Sequence, residues 1–158
     1  QNMEGLLAMF MLGAVLWLIS VAGVCVLFGK EFLTSPLIGY YVLNTALMLG
    51  IALSLSYLVG IFVKNSNMLN GISNLLSLGM CFLCGTFVPI SIMNKSVLKI
   101  AQFLPVYWYE SINETLAQYK TLPVPVAEEI WKSIGIEAMF IAAFVFMILA
   151  ISKYKQQS

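Results

Sequence analysis

Residues 5–28 read GLLAMFMLGAVLWLISVAGVCVLF, a run without a single charge, and its reading decides the fold class. A helix needs about 20 consecutive apolar residues to cross the hydrocarbon core of a bilayer. Backbone groups in lipid have to be satisfied within the segment itself, so an unbroken run favours a helix; a barrel strand would instead show about ten residues of alternating polarity. The run is longer than the apolar part of a signal peptide, follows Glu4 rather than lysines and lacks a small-residue cleavage site, so we expect it to remain in the mature chain.

Three further runs match it, at 36–63, 68–90 and 134–151, and Glu137 is the one charge inside the four. Over 158 residues the chain is 61% hydrophobic and 9% charged, with a mean hydropathy of +0.94. Soluble domains run at about 45–50% and about 25%. The expected fold is all-α and polytopic, a single transmembrane domain of four helices.

All eight cations are Lys and all seven acids are Glu, so Arg, Asp and His are missing. Without them there is no Ser-His-Asp or Cys-His arrangement, no HExxH, no Walker B aspartate and little to hold zinc. We expect no catalytic residue, no metal site and no cofactor bound by this chain. A net charge of +1 from scattered lysines argues against nucleic acid as a partner. Cys25, Cys81 and Cys84 lie in apolar runs and read as small buried thiols.

The connections 29–35 and 64–67 are tight, which makes the first three spans antiparallel neighbours. Ser35-Pro36 reads as an N-cap followed by Pro at the first helical position. Residues 91–133 are too many for a turn and too apolar for a disordered linker. There Val97, Ile100, Ala101 and Leu104 share one helical face, Pro105 ends it, and Ile112, Leu116 and Tyr119 follow at helical spacing behind Tyr107, Trp108 and Tyr109. This pattern predicts a helical hairpin over 96–119 lying in one leaflet with aromatic anchors. Residues 122–126, LPVPV, read as extended or turning, with Glu128 and Glu129 in the first turn of the helix that runs on into the last span.

Small residues recur every fourth position at Ala46, Gly50 and Ser54 and at Ser73, Ser77, Cys81 and Gly85. Such stripes let helices approach closely and are expected to be packing faces. Asn44, Asn70 and Asn74 are expected to bond neighbouring helices or line a pathway. Glu137 reads as a snorkelling or interhelically bonded residue near the interface. Without further carboxylates at mid-membrane, coupling to an ion gradient has little support.

Residues 84–116 read CGTFVPISIMNKSVLKIAQFLPVYWYESINETL. This stretch resembles the signature of type 2 ABC exporter permeases, in which Gly85, Phe87 and Pro89 close the fifth membrane helix, an amphipathic segment follows, and Pro105 with Trp108 opens the next short helix. The resemblance implies that the four spans correspond to the third to sixth helices of a six-helix permease, whose first two would precede Gln1. It implies a cytoplasmic ABC ATPase subunit carrying ATP and Mg, and a second permease subunit, identical or not, in the bacterial cytoplasmic membrane.

On this resemblance Asn70, Asn74, Phe82 and Phe87 would line the substrate pathway, Gly85, Phe87, Pro89, Pro105 and Trp108 would form an outer gate, and the loop 64–67 would lie near the ATPase. An apolar, Met- and Phe-rich pathway suits an amphipathic or lipid-like cargo such as a peptide, drug or lipid. The family's orientation leaves Lys64, Lys153 and Lys155 inside and Lys30, Lys95, Lys99, Lys120 and Lys132 outside, against the positive-inside rule. A non-transporting membrane interaction or immunity protein is the alternative that composition allows.

Overall fold

A computed structural model describes residues 2–63 and 65–157, with side-chain surroundings for 7–27, 29, 33–63 and 65–154. Lys64, expected near the ATPase, lies outside the described residues, as do the side chains of Lys30 and Lys155. The described residues form six α-helices: α1 (Asn2–Leu33), α2 (Ile38–Phe62), α3 (Ser66–Leu83), α4 (Lys95–Ala101), α5 (Pro105–Ala117) and α6 (Val124–Gln157), with a short 3-10 turn at Ile90–Ile92. No strand occurs among the described residues.

Among the described residues three helices are long and apolar enough to cross a membrane, through Leu7–Leu27 of α1, Ile38–Phe62 of α2 and Val124–Tyr154 of α6. α3 differs from the expected span at 68–90. It is helical only to Leu83, about 27 Å at 1.5 Å per residue, and carries Asn67, Asn70 and Asn74 in its first half. Gly85 takes φ 111°, a left-handed conformation that ends the helix and turns the chain.

Two other boundaries move. α6 begins at Val124, so Val124, Pro125 and Val126 are helical rather than extended. Proline fits the first turn because its missing N–H would have no intrahelical partner there. Glu128 and Glu129 therefore fall in the second turn. At the start of α2, Ser35 Oγ accepts from Leu37 N at 3.2 Å, but Pro36 lies in the preceding turn and the helix starts at Ile38.

The packed core sits at the end of the molecule where α2 and α6 begin. Leu37, Ile112, Leu116, Ile130 and Ile134 form one buried cluster joining α2, α5 and α6. Cys84, Ala101 and Val106 form a second, which seats the end of α3 against α4 and α5. Down the bundle, a Cβ on Gly50 would stand 3.0 Å from Ile141, and Tyr40 meets Trp131 edge-on at 5.9 Å. Residue numbers rise together along both helices, so α2 and α6 run parallel. α1 approaches α2 at Gly13, where a Cβ would stand 3.0 Å from Leu53, and is broken at Gly29 (φ 62°, ψ −149°).

Candidate functional site

The corner after α3 is held in place from α5. Cys84 N donates to Met80 O at 2.9 Å, and the chain turns at Gly85, where a Cβ would fall 2.7 Å from Ile90 Cγ1. Thr86 Oγ1 then donates to Glu110 Oε1, and the Ile90 amide donates to Glu114 Oε1, both at 2.7 Å. Glu110 and Glu114 are one turn apart on α5, so two carboxylates grip both ends of the Thr86–Ile90 loop. Hydrogen bonds to charged acceptors are the stronger kind. Sequence reading missed both; their i, i+4 spacing on the helix after the Pro105 corner was the available signal.

The residues expected at the outer gate separate into two groups. Gly85 turns the corner, and buried Pro105 stands at the N-terminus of α5 with Val106 against Cys84. Trp108 Nε1 donates to Gln102 O at 3.1 Å, closing the turn between α4 and α5. Phe87 and Pro89 are exposed. Phe87 packs against Phe82 with ring centroids 4.9 Å apart and planes inclined at 48°, so these two aromatics form one patch. Asn70 and Asn74 are also exposed on α3, but Asn70 lies 12 residues before Phe82, about 18 Å along the helix.

The small-residue stripes fare differently. On α2, Gly50 faces Ile141, and buried Ser54 returns its hydroxyl to Gly50 O at 2.7 Å, whereas Ala46 is exposed. On α3, Ser73 and Ser77 are exposed and Cys81 half-buried. α3 buries no residue at all within the chain.

A polar junction lies where α2, α5 and α6 meet. Asn44, wholly buried, donates from Nδ2 to Tyr109 O at 3.2 Å and to Asn113 Oδ1 at 2.9 Å. Burial pushes the Tyr109 phenol above its ordinary 10.0, so it stays neutral. Glu137 is also wholly buried, and neither of its oxygens has a hydrogen-bond partner. This corrects the expectation of a snorkelling side chain near the interface, because α2 and α5 close over the face of α6 that carries it.

Between α1 and α2 runs a groove of about 920 Å³ whose lining includes Gly13, Trp17, Val21, Thr45, Leu49 and Asn113. Trp17 Nε1 donates across it to Thr45 Oγ1 at 3.1 Å. Its walls are mainly apolar side chains of α1 and α2, with Tyr109 and Asn113 of α5 at one edge, a grouping that no local sequence pattern marks.

No curated protein and no solved structure matches the chain. The family model described as ABC-2 family transporter protein matches residues 4–151, covering all four expected spans and the corner with its two short helices. With three membrane-length apolar helices among its described residues and a match almost end to end, the chain thus belongs to the ABC-2 transporter family, the membrane component of such transporters rather than a catalytic one.

Proposed function

We propose that this chain is the permease part of an ATP-driven exporter, working with a cytoplasmic ABC ATPase subunit and a second permease subunit in a bacterial cytoplasmic membrane. ATP and Mg belong to the ATPase. The observation that carries the reading is the state of α3. α2 and α6 run parallel, so the chain between them has to return to the membrane face from which α2 started. α3 is the one described helix between them of near-membrane length, which supports reading it as a fourth crossing.

A crossing helix with asparagines and no buried residue is poorly suited to lipid on every side. Its polar row suits an aqueous pathway or another helix. Asn70, Asn74, Phe82 and Phe87 line that pathway in our reading. The corner at Gly85–Pro89, tied to the helix that Pro105 and Trp108 open, forms its outer gate, and the α4–α5 hairpin lies in the outer leaflet. The exposed aromatic pair Phe82–Phe87 favours an amphipathic or lipid-like cargo such as a peptide, drug or lipid.

Pull-down of the tagged full-length gene product from mild detergent tests the reading. A stoichiometric partner with vanadate-sensitive ATP hydrolysis is expected. Co-elution of membrane proteins alone, or of nothing, from an intact preparation would overturn it in favour of a non-transporting interaction or immunity protein.

A further inference from the structure

The buried side-chain atoms left without a hydrogen-bond partner among the described residues are three: Asn44 Oδ1, Glu137 Oε1 and Glu137 Oε2. Buried polar atoms in folded proteins are almost always paired, and all three of these are acceptors when Glu137 is ionised. The Asn44 amide cannot resolve the shortage by turning over. Its Nδ2 faces the Tyr109 carbonyl, a backbone oxygen that only accepts, so Oδ1 must point away from α5 and needs a donor from elsewhere.

Helix register supplies the candidate. Leu37 packs with Ile130 and Ile134 on one side of the level in question, and Gly50 meets Ile141 on the other. Asn44 and Glu137 both fall between these contacts, on facing helices, and both are 0% exposed. Tyr109 of α5 is close enough to interact electrostatically with Glu137, and it already engages Asn113. Tyr41, one turn before Asn44, is the nearest other ionisable group on α2. On α6 no other ionisable side chain lies between Lys132 and Lys153.

We propose that Glu137 is a proton-binding site: its carboxylic acid O–H donates to Asn44 Oδ1 and completes a chain from α6 through Asn44 to Tyr109 and Asn113 of α5. One proton satisfies two of the three orphaned atoms, Asn44 Oδ1 and the donating carboxyl oxygen. A hard metal cation fits less well, since it takes six or more oxygens and three are free here. No group of three His, Cys, Asp or Glu occurs among the described residues. Loss of the proton sets a carboxylate against an amide oxygen and releases α6 from the α2–α5 pair. The site is a feature of this bundle whatever the chain exports.

The test is infrared spectroscopy of the full-length gene product in proteoliposomes at neutral pH, read as wild type minus Glu137→Gln. The Gln amide still offers Asn44 a donor, so this variant keeps the fold. The expected difference is a protonated-carboxyl C=O band that moves to higher frequency in Asn44→Leu, or in Asn44→Ser where the Leu variant does not insert. Carboxylate stretching bands in the difference would overturn the proposal, and a shift of those bands between sodium and potassium buffers would make the occupant a metal cation. A protonated band indifferent to residue 44 would overturn the pairing.

Discussion

α3 buries none of its 18 residues within the chain, whereas α5, with 13, buries Pro105, Val106, Ile112 and Leu116 and bonds both Asn44 and the Thr86–Ile90 loop. The longer helix is a boundary and the shorter one is a hub. In a bilayer, lipid tails are as apolar as leucine, so burial of apolar surface does not decide which helices associate. Polar groups with fixed partners do. α5 places Tyr109 and Asn113 on one row and Glu110 and Glu114 on the adjacent one, each pair a turn apart, and so ties the end of α3 to the α2–α6 pair.

Substitutions can break or sharpen this contrast. Gly85→Val should act most strongly, because a side chain at φ 111° is strained and its Cβ meets Ile90 at 2.7 Å. A loss of about 3 kcal/mol, read as a lowered unfolding midpoint in detergent, would mark the corner as structural. Asn44→Leu comes next, leaving Tyr109 O and Asn113 Oδ1 without their donor, at about 1–2 kcal/mol. Glu114→Ala frees the Ile90 amide and should cost about 1 kcal/mol, while Glu114→Gln keeps an acceptor and should be nearly silent in the same melt. Asn70→Leu with Asn74→Leu should shift the midpoint least, within about 0.5 kcal/mol, yet abolish substrate-stimulated ATP hydrolysis in the proposed complex with an ATPase subunit. An equal loss of stability would make α3 a second hub and remove the contrast.

Most of the helices were legible because a membrane helix announces itself by length and apolarity, properties of one segment at a time. α1 and α2 follow their runs closely. The start of α6 was not legible, since a proline in a first turn and a proline in a loop look alike without the carbonyl that Ala127 N meets, Pro123 O at 3.0 Å. The corner at Gly85 and Pro105 stood out by residue type alone. Its anchors Glu110 and Glu114 did not, because carboxylates on an interfacial helix are ordinary and only the folded chain brings Thr86 and Ile90 to them. Glu137 was legible as an oddity and misread in its setting, which is created by α2 and α5 together.

The parallel course of α2 and α6 also has an electrical consequence. Antiparallel neighbours cancel their peptide dipoles, but these two point their N-termini the same way, each equivalent to about half a positive charge. Leu116, near the last turn of α5, packs into the same cluster as Leu37 at the start of α2, which brings the negative end of a third dipole to the positive end of α2. In a medium of low dielectric constant such fields are weakly screened. The short helix that anchors the corner is therefore also a counter-charge, and withdrawing it would leave the positive end of α2 uncompensated.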